Sequence, residues 1–153
     1  MKTMRLVLAF LFLTLFLLQP IQAAASVPVA LVLTIDGAIT PATQAYLARG
    51  IQTAEQSDVQ VIILQLNTPG GGLGPMQSMA EAMRASRVPV VVYVTPRGAW
   101  AGSAGTIITL AGHAAAMAPE TAIGAASPVG SQGENLSSTE EAKTIEIMKA
   151  TVR

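Results

Sequence analysis

The sequence predicts an α/β fold built on a mostly parallel sheet, and three apolar runs separated by helix-like segments carry this prediction. The runs extend from Val29 to Ile35, from Val59 to Leu66 and from Val88 to Val94, and all are rich in β-branched residues. Nearly continuous apolar strands are typical of parallel sheets whose crossover helices cover both faces. We therefore expect strand–helix–strand units along the chain, with helices on both sides of the sheet.

Helical spacing fills the segments between these strands. Thr40 and Pro41 offer an N-cap and a first-turn proline, so we predict a helix over about 41–56. Methionines between Met76 and Met83 recur at helical spacing and predict a second helix. A methionine stripe can line a site for an apolar substrate, but at this spacing we expect it to belong to the core.

The part of the chain after Ser103 predicts shorter elements. The segment "GTIITLAG" is typical of a helix, "AAAMA" of a short strand, and Ser131 to Asn135 of a polar loop. Ser138 and Glu141 have the spacing of a capping box and predict the start of a last helix. That helix runs to the end of the sequence without a stop signal, so we expect a domain that is incomplete at its C-terminus.

The first residues have the layout of a secretory signal peptide. Lys2 and Arg5 precede an apolar run from Leu6 to Leu18, and residues 23–25 are alanines that suit a cleavage site. The apolar run is shorter than the roughly 20 residues that span a bilayer, so we expect cleavage rather than a permanent anchor. We therefore assign residues 1–25 to the signal and 26–153 to an exported domain, periplasmic or extracytoplasmic in location.

Composition disfavours several functions. The chain has 9 Lys and Arg residues against 9 Asp and Glu, without a basic cluster, which disfavours nucleic-acid binding. It has no cysteine, so a Cys nucleophile, a disulfide and a thiolate metal site are excluded. Pro75 stands where a dinucleotide-binding fingerprint needs glycine, and no phosphate loop or metal-ligand spacing occurs. We expect neither a metal nor a cofactor.

Two glycine-rich turns, "NTPGGGLG" and "TPRGAWAGSAG", follow the second and third strands. Open α/β sheets hold their sites at the carboxyl ends of strands, so both turns should face one crevice. Ser103 in the second turn is a candidate nucleophile, and the backbone N–H groups of such turns can stabilise an oxyanion. We expect Trp100, close to this serine, to pack against its own loop rather than to bind substrate.

A serine nucleophile needs a base, and histidine is the first residue type to consider. His113, the sole histidine, lies at the far end of the helix that follows Ser103, roughly 15 Å away, so we expect a structural role for it. Asp36 and Asp58 lie in turns that are poorly placed to complete a Ser-His-Asp triad. The base is therefore expected to be another residue type.

The mature part of the chain has two lysines, Lys143 and Lys149. A Ser-Lys dyad functions when the amine is desolvated, because burial favours the neutral form that accepts a proton. The spacing from Ser103 selects neither lysine, and each is also explained as a solvated helix residue. The residues alone leave the identity of the base open.

Four blocks follow one another along the mature chain: "LVLTIDGAIT", "QLNTPGGGL", "VPVVVYVTPRGAWAGSAGT" and "AMAPETAIGAASPVG". Together they resemble the extracytoplasmic protease domain of the NfeD family, whose members are membrane-bound and have a ClpP/crotonase-like fold. The resemblance covers nearly the whole mature chain. Gly102 departs from the family pattern, since it replaces the small residue usually found before the serine.

The resemblance implies a Ser-Lys dyad in which Ser103 is the nucleophile and Lys143 the general base and acid. Lys143 fits because it opens a helix shortly after the "IGA…P" block, with Arg153 as the basic residue ten positions later, whereas Lys149 does not fit. The family's oxyanion donors correspond to two backbone N–H groups of this chain. These belong to Gly71, with Gly72 as a substitute, and to Ala104.

The resemblance also implies a function, that of a serine endopeptidase cleaving hydrophobic peptide segments. The implied substrate is a stomatin-like partner at the membrane, and the implied full-length form is membrane-associated and homo-oligomeric. A signal-peptide-peptidase-type Ser-Lys protease is an alternative with the same chemistry. A non-catalytic scaffold that holds hydrophobic peptides is another, and it would be indicated by a Lys143 amine that points to solvent.

Overall fold

The computed structural model describes Met4, Phe12 and residues 27–130 and 134–152. Nearly all of the predicted signal peptide, part of the predicted polar loop and Arg153 lie outside the described residues. The elements are, in chain order, β1 (Val29–Asp36), α1 (Pro41–Glu55), β2 (Val59–Asn67), α2 (Leu73–Ala85), β3 (Val90–Val94), β4 (Trp100–Gly102), α3 (Ala104–Ala111), β5 (Ala114–Met117), β6 (Ala122–Gly124) and α4 (Ser138–Thr151).

The main sheet has four parallel strands in the order β1-β2-β3-β5. Its register pairs Val32 with Ile63, Ile63 with Val91 and Val91 with Ala114. The α/β class and the mostly parallel sheet are therefore confirmed. A second pair of parallel strands, β4 and β6, lies beyond the carboxyl end of β2, where Thr68 bridges to Ala101.

Within the described residues the helices cover one face of the main sheet, so the prediction that both faces are covered is wrong. Leu33 and Ile35 of β1 are buried, whereas Val32 between them is 50% exposed, and β2 and β3 show a similar alternation of buried and half-buried residues. Successive strands join the same edge of the sheet. Since crossovers are right-handed, a uniform strand order places every crossover helix on the same side.

The first two helices form as the sequence predicts. Thr40 caps α1, and its side chain and backbone exchange hydrogen bonds with Thr43 at distances of 3.4 and 2.9 Å. The methionines of α2 are buried, with Met76, Met79 and Met83 between 0% and 1% exposed, so the stripe belongs to the core. The two helices pack against each other, and α1 also packs against β1 and β2.

Several element boundaries differ from the predicted ones. Strand β3 begins at Val90 rather than at Val88, because Pro89 has no N–H to donate to a strand ladder. The capping box of α4 is formed by Ser137 and Glu140, one residue earlier than predicted. Among the described residues, no helix combines the length and the apolar character needed to cross a bilayer.

Candidate functional site

Ser103 occupies a sharp turn between β4 and α3. Its backbone has φ 49° and ψ −116°, a conformation that non-glycine residues rarely adopt and that costs about 1–3 kcal/mol. The Ser103 N–H donates to the carbonyl of Gly124 in β6 at 2.9 Å, which fixes the turn from the neighbouring strand. The side chain is half-buried at the N-terminus of α3.

The small residues around Ser103 are required by packing. A Cβ atom on Gly102 would lie 2.6 Å from the indole of Trp100, and one on Gly105 would lie 2.5 Å from Thr68 Cγ2. Thr106 Oγ1 donates a hydrogen bond to the carbonyl of Gly124 at 2.8 Å, which connects α3 to β6. Trp100 is 43% exposed and covers its own strand, as the sequence predicts.

The glycine run after β2 lies directly against this turn. Gly70 has φ +115°, and a Cβ atom there would lie 2.6 Å from Ser103 Cβ. Ile39 flanks the run on its other side: its N–H donates to the Gly70 carbonyl at 2.8 Å, and its carbonyl accepts from the Gly72 N–H at 3.0 Å. The Gly71 N–H takes no part in this pair of hydrogen bonds.

Ser103, Gly71 and Ala104 all line one cavity of about 280 Å³. Ala104 is the first residue of α3, so its N–H has no carbonyl partner within the helix. The site therefore places a serine hydroxyl beside two backbone segments whose N–H groups are candidate oxyanion donors. Most of the remaining cavity wall is apolar and consists of Leu73, Met76, Ala126, Pro128, Val129, Leu136 and Met148.

Lys143 and Lys149 lie on α4, outside the lining of this cavity. Among the described residues that line it, α4 supplies Thr144 and Met148 but not Lys143, which is exposed. Lys149 is also exposed and forms an ion pair with Glu146 at 2.7 Å. The structure thus brings the serine and both candidate oxyanion donors together and leaves Lys143 one residue away from the cavity wall.

His113 has the structural role that the sequence predicts. It follows α3, and its Nδ1 accepts a hydrogen bond from the Val90 N–H at 3.1 Å. The Asp36 carboxylate accepts from Asn67 Nδ2 at 2.9 Å, and Asp36 is the last residue of β1. Neither residue lines the cavity of Ser103.

Two residues that sequence reasoning did not single out organise the site from the end of β2. Asn67 Oδ1 accepts from the Trp100 N–H at 3.1 Å, which attaches β4 to the main sheet. Thr68 is 1% exposed, and its hydroxyl accepts from the Gly70 N–H at 3.0 Å. Their place in the "QLNTPGGGL" block, directly between a buried strand and the glycine run, is the signal that could have identified them.

The family profile described as "NfeD1b, N-terminal domain" matches residues 29–153. The chain belongs to this family. Two NfeD1b relatives are the membrane-bound protease PH1510 of Pyrococcus horikoshii, 42% identical over 132 residues, and the membrane protein NfeD1b of Bacillus subtilis, 33% identical over 132 residues. Each alignment covers 86% of this chain but only 29% and 30% of the relatives, so the chain spans less than a third of their length.

Solved structures confirm the ClpP-like fold of this NfeD1b domain. A lysine-to-alanine variant of the 1510-N membrane-bound stomatin-specific protease, in complex with a substrate peptide, is 36% identical with a TM-score of 0.77. A serine-to-alanine variant of the same protease is 35% identical with a TM-score of 0.76. The matches cover 84% and 82% of this chain, and 60% and 63% of those chains. A variant of ClpP1 from Listeria monocytogenes is 20% identical with a TM-score of 0.64. The match covers 79% of this chain and 69% of the ClpP1 chain, and at this identity it supports the fold alone.

Proposed function

We propose that this NfeD1b domain is the catalytic part of a membrane-associated serine endopeptidase that cleaves apolar peptide segments. The observation that carries the proposal is the position of Ser103 on a strained turn, where it lines one largely apolar cavity beside Gly71 and Ala104. Strained serine turns next to free backbone N–H groups are a recurring arrangement of acyl-transfer enzymes. The related PH1510 of Pyrococcus horikoshii and the 1510-N structures are membrane-bound proteases, which supports the same reaction class.

In the proposed reaction, Ser103 Oγ attacks the carbonyl carbon of the scissile peptide bond while its proton passes to the Lys143 amine. The carbonyl oxygen becomes an oxyanion that accepts hydrogen bonds from the Gly71 and Ala104 N–H groups. Each such donor contributes about 3–4 kcal/mol to transition-state stabilisation in serine proteases. Lys143 then donates the proton to the leaving amine, and water hydrolyses the acyl-serine ester with Lys143 again acting as base.

The assignment of Lys143 as the base requires α4 to present it to the cavity. Successive residues of a helix project about 100° apart, and Thr144 is the residue of this turn that lines the cavity. A rotation of α4 by one residue would therefore exchange Thr144 for Lys143. In the related 1510-N protease, the serine and the lysine that the two variants replace lie one position farther apart than Ser103 and Lys143 do in this chain. A deletion of one residue in this chain, between Ser103 and Lys143, would therefore align Lys143 with the lysine of the relative.

The proposed substrate is an apolar segment of a stomatin-like protein at the membrane. The support for this substrate class is the apolar cavity wall, together with the stomatin specificity that the related protease carries in its name. Membrane association and a homo-oligomeric full-length form belong to the same proposal. An alternative function, a scaffold that binds apolar peptides without cleaving them, is favoured by the exposure of Lys143.

Labelling by a fluorophosphonate probe and cleavage of an apolar fluorogenic peptide test this proposal. We expect the wild-type chain to be labelled, and Ser103→Ala to abolish both labelling and cleavage. Lys143→Ala should reduce both rates by at least about 10³-fold, whereas Lys149→Ala, the matched control on the same helix, should change them little. Equal activity of Ser103→Ala and wild type would overturn the mechanism, and peptide binding without cleavage by a folded wild type would favour the scaffold.

A further inference from the structure

The peptide group between Gly70 and Gly71 has the candidate oxyanion donor on one side and a bonded carbonyl on the other. In a trans peptide the C=O and the following N–H point in opposite directions and move as one plane. The Gly70 carbonyl accepts from the Ile39 N–H at 2.8 Å and from Thr68 Oγ1 at 3.3 Å. The partners of this carbonyl therefore set the direction of the Gly71 N–H, which belongs to a residue that lines the cavity.

The Thr68 hydroxyl contacts Gly70 on both of its polar groups. Besides its contact with the carbonyl, it accepts from the Gly70 N–H at 3.0 Å. Thr68 is 1% exposed, so its interactions are shielded from water and are stronger than they would be at the surface. A glycine in this conformation has no side chain to restrain it, and the hydroxyl supplies the restraint.

The rest of Thr68 is attached to the turn that carries Ser103. Its N–H donates to the Trp100 carbonyl at 2.7 Å, and its carbonyl accepts from the Gly102 N–H at 2.9 Å. Its methyl group fills the space beside Gly105, where a Cβ atom would lie 2.5 Å from Thr68 Cγ2. One buried residue thus links the glycine run to the serine turn on either side of Ser103.

We propose that Thr68 is a positioning residue of the oxyanion hole, whose hydroxyl aims the Gly71 N–H at the substrate carbonyl oxygen. Its methyl group and backbone hold that N–H at a fixed separation from Ser103. This inference rests on the proposed serine protease function. Thr68 itself touches neither the reacting atoms nor the substrate, and it acts through the Gly70–Gly71 peptide group.

Two variants separate the hydroxyl from the shape of the side chain. Thr68→Val removes the hydroxyl and keeps the branched shape, whereas Thr68→Ser keeps the hydroxyl and loses only the methyl group. For Thr68→Val we expect kcat on an apolar fluorogenic peptide and the fluorophosphonate labelling rate to fall about ten- to a hundredfold, with KM changed little. Thr68→Ser should stay within about threefold of wild type, because it keeps the hydroxyl. A misaimed donor affects the transition state more than substrate binding, so the loss in Thr68→Val should appear in kcat rather than in KM.

Amide hydrogen exchange at Gly70, measured by NMR on the same proteins, provides a readout that does not depend on catalysis. We expect faster exchange in Thr68→Val and wild-type protection in Thr68→Ser. A Thr68→Val chain with wild-type kcat would overturn the inference and leave the proposed function intact. Equal losses of activity in the two variants would also overturn it, since they would assign the effect to the methyl group.

Failure of the proposed function is recognised separately. A folded wild type that is neither labelled by the probe nor active on the peptide, like Ser103→Ala, would contradict the protease proposal. The exchange rates would then still decide whether the Thr68 hydroxyl restrains Gly70: unchanged Gly70 protection in Thr68→Val would overturn that restraint, and lost protection would support it. If Thr68→Val does not fold, Thr68→Ser remains decisive, because a large loss of kcat in that variant contradicts a role for the hydroxyl.

Discussion

The two sides of the Ser103 cavity are built differently. One side, which we name the glycine wall, consists of Gly70, Gly71 and the turn from Gly102 to Gly105, and backbone hydrogen bonds to buried residues hold it. The other side, the helix wall, consists of residues 126–129 and α4. Helix α3 behind the glycine wall buries six of its eight residues, whereas α4, all of whose residues are described, buries none. The candidate nucleophile and the candidate oxyanion donors are therefore fixed by the core, and the position of Lys143 depends on few contacts.

The largest effect is expected from adding a single methyl group to the glycine wall. Gly70→Ala would place a Cβ atom 2.6 Å from Ser103 Cβ in a backbone conformation with φ +115°. We expect a stability loss of about 2 kcal/mol or more and at least about a hundredfold lower rate of fluorophosphonate labelling. Gly74→Ala is the matched control, because a Cβ atom there meets nothing within 4 Å. It lies in helix α2 and should raise stability by up to about 1 kcal/mol. Similar losses in both variants would contradict a rigid glycine wall.

Two methionines compare the packing of α2 and α4 directly. Met79 in α2 is 1% exposed, so Met79→Ala should lower the free energy of unfolding by about 2–4 kcal/mol. Met148 in α4 is only half-buried against the core, and Met148→Ala should cost about 1 kcal/mol or less. Denaturant unfolding of the two variants measures both changes. Equal costs would show that α4 is packed as firmly as α2 and would remove the contrast between the walls.

The same contrast explains which elements the sequence could predict. Strands β1, β2 and β3 and helices α1 and α2 follow from local apolar patterns, because each buries one face in the core. Strands β4 and β6 have three residues each and consist mainly of small side chains. Their pairing depends on contacts between Trp100–Gly102 and Ala122–Gly124 that no local pattern indicates. The helices cover only one face of the sheet because of the order of its strands, and local sequence patterns do not indicate that order.

The position of the candidate site was predictable to a similar extent. Ser103, Gly71 and Ala104 lie in glycine-rich turns at strand ends, and this position follows from the strand pattern. The role of Thr68 depends on the conformation of the glycine run and was not predictable from its residue type. At the start of α4 the sequence "SSTEE" contains two overlapping capping boxes, Ser137 with Glu140 and Ser138 with Glu141, and spacing alone cannot choose between them.

A smaller effect on stability is expected from removing the N-cap of α1 in one variant and the N-cap of α4 in another. Thr40 caps α1, which buries four residues, so Thr40→Ala should lower global stability by about 1 kcal/mol. Ser137→Ala removes the equivalent cap from α4 and should leave the global unfolding midpoint almost unchanged. Its effect should appear as faster amide exchange in the first turn of α4, because that helix opens without unfolding the core. A lower global stability of Ser137→Ala would couple α4 to the core.

The smallest effect is the pH dependence of the same cap. The hydroxyl of Ser137 donates to Glu140 Oε2 at 2.6 Å, and this hydrogen bond, assisted by one from the Ser137 N–H, holds the pKa of Glu140 below its ordinary value. Because the pKa is lower in the folded helix than in the unfolded one, the stabilisation is complete above the unfolded value. It is lost as the pH falls through the folded value.

Amide exchange in the first turn of α4 should therefore accelerate on acidification, while α1, capped by the uncharged Thr40 and Thr43, should show no change of this origin. Glu140→Gln is the control, since its amide keeps an acceptor oxygen but cannot titrate. Other carboxylates on α4, including Glu146 paired with Lys149, are present in both proteins, so the difference between wild type and Glu140→Gln isolates the cap. Identical pH profiles for the two proteins would assign the acid sensitivity of the helix wall to those other charges.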